Sequence, residues 1–210
     1  MHETKTEAAV SSSAWYGGGS PFAINSKKFG MWLFIVSDTL TFSALLLAYT
    51  YLRLANPDWP RPFEFSPAII NATIMTVILL ASSLTMVLGV AAAHRGERAT
   101  AVRWILFTAL GGILFDILHL REWFHLFSEG YTAWGTPQGV PLFGAAFFGI
   151  TGMHMTHVTI GVIYLLIMAW GYGKGKFDAT DVEVNGLYWH FVDLVWMFVF
   201  PMIYLMSIQR

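Results

Sequence analysis

Five stretches of the chain are apolar almost throughout, at 30–52, 68–93, 102–120, 142–170 and 186–208. Each is about as long as the roughly 20 residues a helix needs to cross the hydrocarbon core of a bilayer. The pattern therefore predicts an all-α integral membrane protein, with five transmembrane helices in one bundle. The segments between them are sharp breaks. "NPDWPRPFEFSP" cannot continue a helix, because its prolines lack the amide donor and clash with the preceding turn. "HRGERAT" and "GKGKFDATDVE" read as short polar loops. "SEGYTAWGTPQGVP" is a Gly/Pro-rich connection whose Trp and Tyr suit a membrane interface. The fourth stretch is the longest, so it is expected to tilt or to project beyond the bilayer.

The basic residues sort unevenly between the two ends of this bundle. Lys5, Lys27, Lys28, Arg95, Arg98, Arg103, Lys174 and Lys176 fall on one side; Arg53, Arg61, Arg121 and Arg210 fall on the other. The excess of Lys and Arg marks the cytoplasmic side. The expected orientation has the N-terminus in the cytoplasm and the C-terminus outside, on the periplasmic or extracellular face. Residues 1–29 are small and polar, without the apolar run of a cleaved signal peptide. They are expected to form a flexible cytoplasmic tail ahead of a transmembrane domain over 30–210.

Composition supports this class and removes others. Hydrophobic residues make up 56% of the chain and charged residues 12%, about half the usual charged share of a soluble domain. A net charge of −1 gives no support to nucleic-acid binding. The absence of cysteine excludes disulfides, thiolate metal sites, iron–sulfur clusters and thioether-linked haem. The chain has no internal repeat of the kind found in transporters.

Polar residues inside the spans are the candidates for function, since a charge at mid-bilayer costs roughly 2.5–3.5 kcal/mol on insertion scales. Asp38, Asp116 and Asp193 lie within spans, while Glu122 and Glu183 lie at span ends. No Lys or Arg is deep enough to neutralise them, so hydrogen bonds, water or lipid head groups must. In "TGMHMTHVTIG", His154 and His157 stand at i, i+3 on one helix face. A metal site there would need a ligand from another helix, with His190, Asp193, Asp116, His119 and Glu122 as the choices. The plainer reading, a buried histidine bonded to a carboxylate or a carbonyl, is preferred. Arg121 and Glu122 are expected to form an ordinary ion pair at the outer interface. In the fifth span, Glu183, His190 and Asp193 share a face. Asp193 is expected to accept a hydrogen bond from an imidazole or indole of a neighbouring helix. Trp189 and Trp196 form an adjacent stripe that packing alone explains.

Three segments together resemble subunit III of the haem–copper oxidases in its short, five-span form. They are "GMWLFIVSDTLTFSALLLAYTYLR", "FFGITGMHMTHVTIGVIY" and "EVNGLYWHFVDLVWMFVFPMIY". The third is the most specific. The resemblance runs from about Lys27 to Tyr204. It implies a helical bundle with a V-shaped cleft that binds phospholipid, and no redox centre in this chain. Haem and copper would belong to the partner subunits, the catalytic subunit I and subunit II, and a respiratory supercomplex would be a wider partner. The implied role is to stabilise the catalytic subunit and to support proton uptake in aerobic respiration, in a bacterial inner membrane.

By the same resemblance, Asp38 takes the place of the cleft-lining carboxylate. Glu122, His154, His157, Glu183, His190 and Asp193 take the places of a structural polar network. Arg95, Arg98, Arg103, Lys174 and Lys176 are expected to gather lipid phosphates at the cytoplasmic surface. Asp38 stands where cytochrome c oxidases usually have Glu, and Met155 replaces a Gly between the paired histidines. An Asp at the first position also occurs in quinol-oxidising members. The alternatives are therefore a quinol oxidase subunit III, a homologue associated with nitric oxide reductases, or a membrane metalloenzyme built on His154, His157 and His190.

Overall fold

The structure is a computed structural model and describes residues 25–63 and 65–208. Among them five helices are long and apolar enough to cross a membrane, and no strand forms. Helix α1 spans Ser26–Ala55, α2 Ile70–His94, α3 Arg98–Ser128, α4 Pro141–Gly173 and α5 Ala179–Val199. Most of the expected tail, residues 1–24, lies outside the described residues. Residues 26–29 are helical instead, because Asn25 caps α1 by accepting from the Lys27 amide at 2.9 Å.

Helices α1, α3 and α4 exceed their apolar stretches at both ends. Helix α5 begins seven residues before the expected Gly186, because Asp178 and Asp181 form a reciprocal capping box. The Asp181 amide donates to Asp178 Oδ1 at 2.8 Å, and the Asp178 amide to Asp181 Oδ2 at 3.0 Å. At its far end Pro201 removes an amide donor, and the helix loosens into a wide turn over Phe200–Tyr204 and a tight one over Leu205–Ser207. The turns at Gly96 and Gly175 use φ of +76° and +72°, a region only glycine enters without strain. They let two long helix pairs reverse direction within a few residues.

Helices α2, α3, α4 and α5 form a ring in which each packs on the next, and α1 lies over the seam between α4 and α5. Burial follows: half of the apolar window of α5 is buried, against 17% for α1. Trp189 fills the middle of the ring. A Cβ added at Gly112 of α3 would come within 2.5 Å of its ring, and one at Gly161 of α4 within 3.0 Å. The two glycines thus let three helices close on one indole, as small residues do at membrane helix contacts. The end opposite the Gly96 and Gly175 turns is plugged by the Pro-rich segment after α1. Trp59 donates to the Tyr49 hydroxyl at 3.4 Å, and Phe63 stacks on Tyr204 at 4.8 Å.

Two recesses open on the sides of the bundle. One, of about 390 Å³, is an apolar groove between α1 and α5, with Phe42, Leu46, Phe191 and Val195 in its walls. The other, of about 540 Å³, lies between the start of α2 and the end of α3.

Candidate functional site

The polar residues of the spans meet across helices rather than along them. Asp38, buried on α1, faces His157 of α4, with His157 Nε2 at 3.3 Å from Asp38 Oδ2. His157 Nδ1 lies 2.8 Å from the Met153 carbonyl of its own helix. Imidazole has one N–H in its neutral form and two when charged. Contact with a carbonyl at one ring nitrogen and a carboxylate at the other sets the imidazole between its own helix and α1. Tyr188 of α5 donates to the His157 carbonyl at 3.0 Å. His154, three residues earlier, meets α1 only edge-on through Phe42, at 6.5 Å between centroids, and turns its ring nitrogen to α5. Its Nε2 lies 3.1 Å from the Val192 carbonyl, and its ring packs on Trp196 with centroids 5.1 Å apart. The i, i+3 pair thus serves two different neighbours, α1 and α5.

Helices α2 and α5 run antiparallel and are joined by a ladder. At the end carrying most of the basic residues, Glu183 meets Lys28 of α1 at 2.7 Å and His94 of α2 at 3.5 Å. Next, Trp189 donates to Ser82 at 3.1 Å, and His190 Nδ1 meets the Ser83 hydroxyl at 2.7 Å. Asp193 approaches the same Ser83 hydroxyl. Trp196 then donates to Thr76 at 2.9 Å. The shared face of Glu183, His190 and Asp193 is real, and it is the face turned to α2. The neighbour of Asp193 differs from the expected imidazole or indole: it is the Ser83 hydroxyl that His190 bonds. A hydroxyl can donate to one neighbour and accept from another, so Ser83 can serve both side chains. Sequence reasoning passed over Ser82, Ser83 and Thr76. Their signal was a hydroxyl facing inward on an otherwise apolar span.

The expected ion pair between Arg121 and Glu122 does not form. Adjacent residues on a helix point about 100° apart. Glu122 faces inward and is buried, with Oε2 at 3.5 Å from the Tyr204 hydroxyl, while Arg121 faces out. Asp116 accepts from Thr159 of α4 at 3.0 Å. His119 is fully buried among Phe115, Trp123 and Trp196. Among the described residues, no group of three or more His, Asp or Glu converges to hold a metal. His154, His157 and His190 each have a partner of a different kind.

The basic residues sit at the end formed by the α2–α3 and α4–α5 turns. Arg95 pairs with Glu97 at 2.7 Å, which holds the exposed Glu97 carboxyl below its usual range. Arg103 Nε reaches the Ala99 carbonyl at 3.4 Å. Arg98 lies over the Tyr172 ring, and Lys174 and Lys176 lie over the Trp170 ring at 4.2 and 4.5 Å. Lys27 closes on Asp181 at 2.5 Å.

The sequence that builds this arrangement matches known proteins along nearly all its length. The sequence model of the family described as cytochrome c oxidase subunit III matches residues 6–208. Subunit 3 of the cytochrome bo(3) ubiquinol oxidase of Pseudomonas aeruginosa is 32% identical over 185 residues, 85% of this chain and 84% of that protein. Cytochrome c oxidase subunit 3 of Synechocystis is 34% identical over 184 residues, 86% of this chain and 76% of that one. Its counterpart in Alkalihalophilus pseudofirmus is 30% identical over 186 residues, 87% and 88% of the two chains. Five membrane-spanning helices tied by internal hydrogen bonds, together with these matches, place the chain in the cytochrome c oxidase subunit III family, the accessory subunits of haem–copper oxidases.

Proposed function

We propose that the chain braces the catalytic subunit of a haem–copper terminal oxidase in a bacterial inner membrane, holds phospholipid, and supports proton uptake during aerobic respiration. One observation carries this reading. The polar side chains of the spans are mostly spent on joining helices to one another: Asp38 with His157, His154 with the Val192 carbonyl, His190 with Ser83, Trp189 with Ser82 and Trp196 with Thr76. They make a stiff scaffold rather than a reaction centre. Haem and copper belong, in this reading, to the partner subunits I and II.

The outward face of α1, with Trp32, Leu33, Val36, Leu40 and Leu47 exposed, is apolar enough for lipid or a neighbouring helix. The groove between α1 and α5 takes an acyl chain and stands for the expected cleft. Asp38 is turned from that groove toward His157, so its role is to fix α1 on α4, and the groove owes its shape to that contact. Arg98, Arg103, Lys174 and Lys176, with the Arg95–Glu97 pair beside them, face lipid phosphates at the cytoplasmic end, each worth about 1 kcal/mol toward an anionic surface. Asp181, Glu183 and His94 give the same end exchangeable groups beside the partner's proton entrance. A quinol rather than a cytochrome c donor is the second reading, favoured by Asp38 in the place where cytochrome c oxidases resemble one another in having Glu.

The test is removal of this chain from the purified oxidase. The depleted enzyme should begin at a near-normal rate, lose activity in the course of turnover, and regain its lifetime when the chain is returned. An unchanged turnover lifetime would contradict the reading.

A further inference from the structure

The recess between α2 and α3 is far from the basic end and from the groove on α1, and nothing in the bracing role uses it. Its walls are Ile70 and Ile74 of α2, both about half exposed, and its polar residues are Asn71, Arg121, Glu122 and His125. Glu122 is 6% exposed, and its Oε1 has no hydrogen-bond partner among the described residues. A buried carboxylate oxygen left in this state is costly unless something donates to it. The Asn71 amide stands beside the Glu122 carboxyl and also donates to the Met75 thioether at 3.4 Å, a weak acceptor, while Oε1 itself stays without a partner. On the rim, Arg121 has no ion-pair partner among the described residues, and His125 meets only the exposed Glu129, at 3.5 Å.

The level of this recess matters. Glu122 lies 24 residues beyond Arg98 along α3, about 36 Å. That exceeds the roughly 30 Å hydrocarbon core, so the recess opens at head-group depth on the outer side. It presents a buried acceptor inside, the Arg121 guanidinium and the His125 imidazole at the mouth, and isoleucines facing the acyl region. A ligand that matches all three has a primary amine, a phosphate and a hydrocarbon chain.

We propose that this recess binds the head group of an amino-phospholipid of the phosphatidylethanolamine class, with its ammonium on Glu122 Oε1 and its phosphate against Arg121 and His125. The three N–H donors of a primary ammonium can satisfy Glu122 and the Asn71 carbonyl oxygen together, whereas a trimethylated amine has no N–H to give. The inference concerns a site separate from the cytoplasmic lysines and arginines, so its failure leaves the bracing role standing, and the reverse.

The test uses the full chain as extracted from its native membrane in mild detergent, with whatever chains accompany it. Native mass spectrometry would follow the binding of dihexanoyl phosphatidylethanolamine, its phosphatidylcholine and phosphatidylglycerol counterparts, and inorganic phosphate. The ethanolamine lipid should be retained at least about fivefold better than the choline lipid, a charge-assisted hydrogen bond's worth of preference. Glu122→Gln should erase that preference, and Arg121→Gln should weaken retention of all the phospholipids. Arg121 is exposed, so its variant folds even if the Glu122 variant does not. Equal retention of the two amines, a preference that survives Glu122→Gln, unchanged retention in Arg121→Gln, or inorganic phosphate competing as well as the lipid would each overturn the proposal. So would a recess between α2 and α3 that takes no phospholipid because a protein partner fills it.

Discussion

His157 Nε2 lies 3.3 Å from Asp38 Oδ2, and this contact joins α1, the least buried helix, to α4. Both side chains are mostly shielded, at 15% and 11% exposure. Asp38→Asn keeps an amide that can still bond the imidazole, so the chain should assemble normally and lose only about 1 kcal/mol. Asp38→Leu leaves His157 without its acceptor and should cost about 1–3 kcal/mol, the range for a buried polar group stripped of its partner. Thermal melting of the purified chain in detergent, compared for the two variants, checks the order.

Gly112 faces Trp189 so closely that an added Cβ would sit 2.5 Å from the ring. Gly112→Ala should therefore destabilise by about 1–3 kcal/mol, as overpacking does. Gly149, within α4, has nothing within 4 Å of the Cβ position. Gly149→Ala should be neutral or slightly stabilising, since alanine is the better helix former by about 1 kcal/mol. A melting curve in which both variants behave alike would remove Trp189 as the packing centre.

Ser83 bonds His190 at 2.7 Å and lies beside Asp193. Ser83→Ala and Asp193→Asn should be non-additive, with a coupling of about 0.5–3 kcal/mol in a double-mutant cycle. Neither should alter a haem spectrum of the parent oxidase. Additive losses would mean that the hydroxyl holds His190 alone.

Glu97 precedes the first turn of α3, where a carboxylate is favoured by the helix dipole, and it pairs with Arg95. Its folded pKa is depressed, with the Arg95 hydrogen bond as the leading cause. The sign follows. The contribution is present above the unfolded carboxylate value of about 4.3 and fades as pH falls through the lower folded value. Both groups are fully exposed, so the effect is small and salt-sensitive. The melting difference between the native chain and Glu97→Gln should be visible at pH 7 and vanish once the pH lies below the depressed folded value.

How much of this was legible in the sequence depends on what decides each feature. Hydropathy decides where a helix crosses lipid, so the five spans were readable. It does not decide where a helix ends. Residues 179–185 are polar enough to look like loop, yet they are helical because Asp178 and Asp181 cap them and because Lys27 and Lys28 engage Asp181 and Glu183. Spacing decides which residues share a face, and the face of Glu183, His190 and Asp193 was found. It does not decide what lies opposite. The partners Asp38 for His157 and Ser83 for Asp193 depend on how helices are rotated against one another. Arg121 and Glu122 were misjudged for a related reason: neighbours in sequence diverge by about 100° on a helix, and here one turns to the core and the other to the rim.

The central claim is that this chain works as a brace within an oxidase and holds no reaction centre of its own. The most direct measurement is purification through a tag on this chain from its native membrane in mild detergent, with mass spectrometry of the accompanying chains and metal and haem analysis of each. The account predicts a haem–copper catalytic subunit in constant ratio to this chain, carrying all the haem and copper. A chain that purifies alone, with stoichiometric metal that disappears when His154, His157 or His190 is replaced, would contradict it.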